Sequence, residues 1–400
     1  MIRAETNAGA RIAAPSGPDD ITTSWLTAVL ADAGSLKHGS VVGVRVEPLG
    51  TDRGLTGRVA RLRLAYSASN LDAPTSVVTK FAAEPGATRD LADRFDLYER
   101  EANFYEHVSP VCPTPAPRLL FRSEPGTPFV LMLEDLERGI EVDLLRGCSL
   151  DQAAAVTSML ARTHARFWND PALLEYGWLP APNNRIILDL MDESSVSSWG
   201  MFKSAFGTHM PRDLVTLGNR ISSDRTVLDR LSAPPWTLVH GDMRAHNIIF
   251  DATDESRCLA VIDWQTAMRA RGPVDLASLF VTSLPIAERR IAERELLPEY
   301  HDALGKHGVR GYSYEECWRD YRLAAINQFS QVIALYALID VNSKIADDVA
   351  ASTGERLVGA ILDLDLRDFV PPSGLQDVIV SGLRARTPIA LRRALRSLRK

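Results

Sequence analysis

Cysteine is scarce in this chain of 400 residues: Cys112, Cys148, Cys258 and Cys317 are scattered, with no CxxC spacing. A structural zinc site therefore has no ligand pattern to rest on, and isolated thiols fit a reducing, cytoplasmic setting. Long apolar runs are also missing. The most apolar segment, around FSQVIALYALIDV, is too short and too interrupted to span a bilayer and reads as a buried core helix. The opening MIRAETNAGARIAAPSGPDD holds no apolar stretch suited to a secretory signal, so stable membrane insertion is not expected. Positive charge is not in excess. Lys and Arg number 45 against 51 Asp and Glu, a net charge of −6, which speaks against a general nucleic-acid binder. No GxxxxGK[ST], no GxGxxG and no GxSxG occurs either, so the P-loop, the dinucleotide fingerprint and the nucleophile elbow are all absent.

What is present is the composition of a globular protein, 46% apolar and 24% charged, long enough for one large or two medium domains. PDDITTSWLTAVLADAG places Ile21, Trp25, Leu26 and Leu30 at helical spacing and stops at Gly34. SVVGVRVEPLG and RVARLRLAY alternate as strands around the Gly- and Thr-rich loop GTDRGLTG, and TSVVTKFA reads as a third strand. DLADRFDLYEREANFYEHV reads as one helix, and PRLLFRSE and PFVLMLEDLE as two more strands. From SLDQAAAVTSMLARTHARFWND onward, a helix capped by Ser149 or Asp151, the pattern is mainly helical. The expected division is a flexible N-terminus at 1–18, a β-rich lobe at 19–135, a helical lobe at 136–375 and a basic tail at 376–400 that frays as a solvated helix.

LVHGDMRAHNIIF interrupts this helical texture with two histidines, an aspartate, an arginine and an asparagine between apolar runs. Phosphoryl transfer from ATP to a hydroxyl asks for such a set: a carboxylate to take the proton, hard oxygen ligands for Mg²⁺, and a lysine held against the phosphates. Asp242 suits the first task. Asn247 on the same loop and Asp263 at the end of the apolar LAVIDWQ suit the second. Lys80 ends the strand SVVTK, and Glu101 lies in the helix that follows, so the pair can steady the ammonium. The loop GTDRGLTG can offer N–H groups to phosphates. Backbone groups around Glu134, Asp135 and Leu136 can bond an adenine edge.

HGDxxxxN followed by IDW resembles the aminoglycoside phosphotransferase and choline kinase superfamily. LMLEDL, LARTHARFW, VIDWQTAMRARGPVDLASLF and LLPEYHDALGKHG are similar to its ecdysteroid-kinase-like branch and bacterial relatives. The resemblance runs from about residue 20 to residue 365. It implies an α+β, protein-kinase-like two-lobed fold, with a small antiparallel-sheet N-lobe and a large, mainly helical C-lobe. It also implies an ATP- and Mg²⁺-dependent phosphotransferase acting on a small-molecule hydroxyl. The family roles fall on Lys80, Glu101, Asp242, Asn247 and Asp263. An aminoglycoside or choline-like amine is the alternative acceptor, although residues 180 to 235 hold no dense acidic cluster beyond Asp189, Asp192 and Glu193. A nucleotide-binding pseudokinase scaffold is the alternative of another class. Against it, no base or metal ligand is missing.

Each residue also has a plainer reading. Lys80 can close a strand at the surface, and Glu101 can be one acid on a charged helix. His240 reads as a pin for the loop backbone and His246 as a neighbour of the site. A transition-metal hydrolase built on His240, Asp242 and His246 is the minor alternative. Arg244 stands where the branch often has an aromatic residue. It reads evenly as a contact to phosphate or a substrate acid group, or as a salt bridge to an acid such as Asp275. Asp275 reads as structural, either an N-cap or a brace for the catalytic loop. His164 and Trp168 read as core packing, and Gln265 takes the place of the glycine in the protein-kinase metal triplet.

Overall fold

The computed structural model describes residues 13–49, 57–67, 72–143, 146–190, 196–206, 212–221, 225–338 and 353–369. Most of the loop GTDRGLTG, the residues Asp192 and Glu193, the basic tail and the end of FSQVIALYALIDV lie outside them. The chain divides into two compact units, one of residues Met1–Glu106 and Pro117–Glu137, the other of His107–Ala116 and Arg138–Lys400.

The first unit opens with α1 (Thr23–Asp32). The acids of PDD do not start this helix: they form a 3₁₀ turn, and Thr22 is the cap, its Oγ1 accepting from the N–H of Trp25 at 3.1 Å. Strands β1 (Val41–Leu49), β2 (Gly57–Tyr66) and β3 (Ser76–Ala82) follow. After α2 (Ala87–Arg94) and α3 (Leu97–Asn103) come β4 (Leu119–Arg122) and β5 (Val130–Glu134). The five strands make one antiparallel sheet in the order β1-β2-β3-β5-β4.

Strand period sets the chemistry of the two faces. Ala60 and Leu62 of β2 and Val77 and Phe81 of β3 are buried together with Leu26, Val29 and Leu30 of α1. Burial of one such large side chain stabilises by about 1.5–3 kcal/mol. The alternate residues emerge on the opposite face, among them Arg61 and Lys80. Lys80 stands between Val59 and Leu131 in register.

The single helix expected over DLADRFDLYEREANFYEHV is in fact broken. Asp96 sits at φ 51°, ends α2 and starts α3, and residues Phe104–Val108 widen into a π turn. Burial drives the break: Leu97, Tyr98, Glu101 and Ala102 all turn inward on α3, and Arg100 caps the Phe95 carbonyl through Nη2 at 2.6 Å.

The second unit begins with β6 (Gly139–Glu141) and α4 (Leu150–Arg166). Ser149 is the cap of α4, in a reciprocal box with Gln152: Gln152 N–H donates to Ser149 Oγ at 3.2 Å, and Ser149 N–H donates to Gln152 Oε1 at 2.9 Å. Short helices α5 (Arg185–Leu190), α6 (Val196–Phe206), α7 (Arg212–Ile221) and α8 (Thr226–Ser232) precede four small strands. These are β7 (Thr237–Val239), β8 (Ile248–Asp251), β9 (Asp254–Val261) and β10 (Met268–Ala270). Strand β7 pairs with β10, and β8 lies between β6 and β9.

Helices α9 (Pro273–Ser283), α10 (Ile286–Lys306), α11 (Tyr314–Leu338) and α12 (Glu355–Asp363) complete the unit. Every residue of α9 is buried, which marks it as the central helix. The fully buried Arg289 of α10 pairs with Glu293 at 2.5 Å and with Asp363 of α12, while Tyr321 of α11 donates to Glu293 at 2.9 Å. A charge this deep persists only when it is paired and hydrogen-bonded. Among the described residues no helix is long and apolar enough to cross a membrane.

Ser149→Ala removes one arm of the α4 box. Its unfolding free energy in urea is expected to fall by about 1 kcal/mol with the slope unchanged.

Candidate active site

The polar stretch becomes a loop because its ends are strands. Strand β7 ends at Val239, β8 starts at Ile248, and between them the chain carries a short 3₁₀ turn, Ala245–Asn247. Gly241 sits at φ 82°, and a Cβ there would lie 2.5 Å from the Thr266 carbonyl oxygen, so only glycine fits. Asp275, 1% exposed on α9, accepts from the N–H groups of His240 at 2.8 Å and Gly241 at 2.9 Å. It is therefore a brace for the loop. It is neither the N-cap of α9, which is Gly272, nor the partner of Arg244.

Both ring nitrogens of His240 are committed. Nε2 bonds the Ile262 carbonyl at 3.0 Å, and Nδ1 accepts from the Asp242 N–H at 3.2 Å. The ring thus ties the loop to the end of β9 and is not presented to a metal. Thr266 adds a second tie, donating to the His240 carbonyl at 2.9 Å. His164 is more than packing: its Nδ1 bonds the Tyr300 hydroxyl at 2.8 Å, and its Nε2 lies 3.4 Å from Asp275. Trp168 packs on Tyr312 with ring centroids 4.9 Å apart.

Asn247 and Asp263 come together because β8 and β9 pair antiparallel, Ile248 opposite Val261. The residues flanking that pair continue the ladder, the Ile262 N–H donating to the Asn247 carbonyl at 2.9 Å. Asp263 holds a left-handed backbone, φ 65° and ψ 53°, which re-aims the chain at the end of β9 into the turn Trp264–Thr266. The Asn247 amide nitrogen donates to the Asp242 backbone carbonyl at 2.8 Å and to Asp242 Oδ2 at 3.3 Å, so its Oδ1 is the atom left for coordination. Gln265 Nε2 donates to Asp263 Oδ2 at 3.2 Å. An amide oxygen and a carboxylate are hard donors, a set that suits Mg²⁺ better than a transition metal.

Arg244 grips Asp242 with two bonds, Nε to Oδ1 at 2.5 Å and Nη2 to Oδ2 at 2.7 Å. Burial by itself would raise the Asp242 carboxyl, but the guanidinium, with smaller help from His246 and His240, outweighs it and holds the group at about 2. Of the two even readings of Arg244, the salt bridge to a local acid is the one formed, and its partner is Asp242 rather than Asp275. The reason is geometry: a two-residue offset in this loop puts the fork beside Asp242, while both Asp275 oxygens already face backbone N–H groups.

In the first unit Lys80 Nζ lies 2.7 Å from Glu101 Oε2, with the side chains 13% and 2% exposed. At the end of β5 the Glu134 N–H bonds the Arg118 carbonyl at 3.0 Å, and the Glu134 carboxylate accepts from the Arg118 N–H at 3.0 Å. That amide is therefore not offered to a ligand. Leu136 is half-buried beside it. Asp135 between them is held by Arg61 at 2.5 and 3.0 Å and by Ser76 at 2.6 Å. Sequence reasoning missed Arg61, Ser76, Thr266 and Ser283, whose Oγ accepts from the Ala245 N–H at 2.9 Å.

In motif order the chain resembles the aminoglycoside phosphotransferase and choline kinase superfamily, and its architecture is α+β, an antiparallel-sheet unit and a larger, mainly helical one. Residues 229–364, which hold HGDMRAHN and IDW, match the family model DUF1679, whose description reads "Uncharacterized oxidoreductase dhs-27". Among solved structures the chain is similar to a macrolide 2'-phosphotransferase of Brachybacterium faecium, at 18% identity and a TM-score of 0.44 over 90% of this chain and 100% of that one. It is also similar to an aminoglycoside phosphotransferase of Streptomyces rimosus, at 18% identity and a TM-score of 0.41 over 77% and 98%. A GDP complex of aminoglycoside 2'-phosphotransferase-IIIa gives 12% identity and a TM-score of 0.48 over 84% and 97%. No curated protein matches the chain.

Asp275→Asn places an NH₂ or a neutral oxygen opposite two backbone donors. The variant is expected to lose about 3 kcal/mol of stability, read from urea unfolding, because a buried bonded charge is removed from its partners.

Proposed function

We propose that the protein transfers the γ-phosphate of ATP to a hydroxyl group of a small molecule. The observation that carries this reading is the gathering of Asp242, Asn247 and Asp263 at one end of the β8–β9 hairpin, a carboxylate beside a pair of hard oxygen donors. Asp242 orients the acceptor hydroxyl and takes its proton. Asn247 and Asp263 hold Mg²⁺, which when bound neutralises charge on the phosphates. Lys80, kept in place by Glu101, aligns the phosphates, and the backbone at Leu136, rather than the spent Glu134 amide, receives the adenine. The helices after residue 150 supply the acceptor pocket.

The word oxidoreductase in the family description finds little support in this chain. It carries no GxGxxG, and every strand pairing among the described residues is antiparallel, unlike the parallel sheet of a dinucleotide-binding fold. A cationic acceptor is disfavoured as well. Of the group Asp189, Asp192 and Glu193, the described Asp189 is already paired with Arg185 at 2.8 Å.

The test is a screen of hydroxylated metabolites with ATP and Mg²⁺, scored by the mass of phosphorylated product. Asp242→Ala is expected to lower transfer by about 10²–10⁴-fold while ATP binding survives. Turnover at the parent rate by that variant would defeat the assignment.

A further inference from the structure

We propose that Arg244 selects an acceptor that carries an oxyanion, a carboxylate or a phosphate, close to the hydroxyl to be phosphorylated, and that this anion draws the guanidinium off Asp242. The inference rests on the phosphotransferase reading and adds the charge of the acceptor to it.

As the loop stands, the candidate base is partly masked. Arg244 covers both Asp242 oxygens, Oδ1 at 2.5 Å and Oδ2 at 2.7 Å, and Asn247 adds a contact to Oδ2 at 3.3 Å. A hydroxyl gives up its proton to a carboxylate only from hydrogen-bond distance. Each carboxylate oxygen has two acceptor sites, so both sites of Oδ2 are taken while Oδ1 keeps one beside the guanidinium, and release of the fork frees the carboxylate for the hydroxyl. The Arg244 backbone cannot supply the movement: its N–H donates to the Asp242 carbonyl at 2.8 Å, and its own carbonyl accepts from the Asn247 N–H at 2.9 Å. The side chain can, because it is 23% exposed, as is that of Asp242.

A guanidinium leaves a two-point carboxylate contact most readily for another oxyanion of the same geometry. Asp263, the other acid that acts on Arg244, is assigned above to the metal. The acceptor itself is left to bring the new partner. An acceptor of this kind unmasks the base by binding, so the base is more available when the right molecule is present. An ammonium does the reverse: it meets an Asp242 charge that Arg244 already neutralises, and a like charge beside it. In the step that follows, the bond between the acceptor oxygen and the γ-phosphorus forms as the bond from that phosphorus to the oxygen of the departing ADP breaks. The hydroxyl proton passes to Asp242.

The experiment uses matched acceptors on shared carbon skeletons: hydroxy acids, their amides, their phosphomonoester counterparts and the corresponding amino alcohols. Each is assayed with the full-length protein and with Arg244→Gln and Arg244→Lys. The parent is expected to favour an acid or a phosphomonoester over the amide by about tenfold or more in kcat/KM. In Arg244→Gln that ratio falls toward one, and in Arg244→Lys it lies between. The acid and phosphomonoester arms tell which oxyanion is meant. A parent that favours amides or amines, or a ratio unchanged in Arg244→Gln, overturns the proposal. Calorimetric binding of the same compounds reads the proposal without turnover: oxyanion binding that disappears in Arg244→Gln supports it, and equal binding of acids and amides overturns it. Failure of the phosphotransferase reading looks different: no phosphorylated product from any arm.

Discussion

One buried carboxylate organises the second unit. Asp275 sits on α9, every residue of which is buried, and receives two successive backbone N–H groups from the polar loop. An anion in that position is tolerable only because those bonds, with His164 close behind, replace the water it has lost. The converse also holds. Two adjacent amides aimed at one point fix the direction of the peptide at His240 and Gly241, and so the direction in which Asp242 leaves the loop. His240 then carries the constraint outward through Ile262, and Thr266 returns it to the His240 carbonyl. The loop and the turn after β9 are one hydrogen-bonded object.

The β8–β9 ladder does the remaining positioning. Sixteen positions of sequence separate Asn247 from Asp263, yet antiparallel pairing folds that distance into a hairpin whose open end holds both residues. A strand pair is stiffer than a loop, so two oxygen donors mounted at its end keep their spacing. The left-handed backbone at Asp263 is a local cost of roughly 1 kcal/mol borne to aim one carboxylate. The first unit uses the same device in another form. The strand period sends Phe81 into the core and Lys80 out on the other face, where Glu101 waits on α3.

Much of this was legible from the residues. The alternation in β2 and β3 predicts two unlike faces, and the order of Lys80, Glu101, Asp242, Asn247 and Asp263 carries the family resemblance. A brace role for Asp275 is what the family resemblance implies, beside the N-cap that its place at the start of a helix suggests. Other features were not legible. Nothing in DLADRFDLYEREANFYEHV announces the break at Asp96, because the helical pattern is continuous and the break answers to what α3 must bury. Arg244 had several acids within reach in sequence, and proximity alone did not choose among them.

The sequence by itself determined the elements and their chemical inventory, since period, capping and turn residues act over a few positions. Tertiary structure alone decided the partners. Which acid faces the guanidinium, which amides meet Asp275 and which nitrogens of His240 are occupied all depend on contacts between segments tens of residues apart. Hydrogen bonds of this kind are short and directional, so a pattern that fixes an element's type leaves its bonding undetermined until the elements pack.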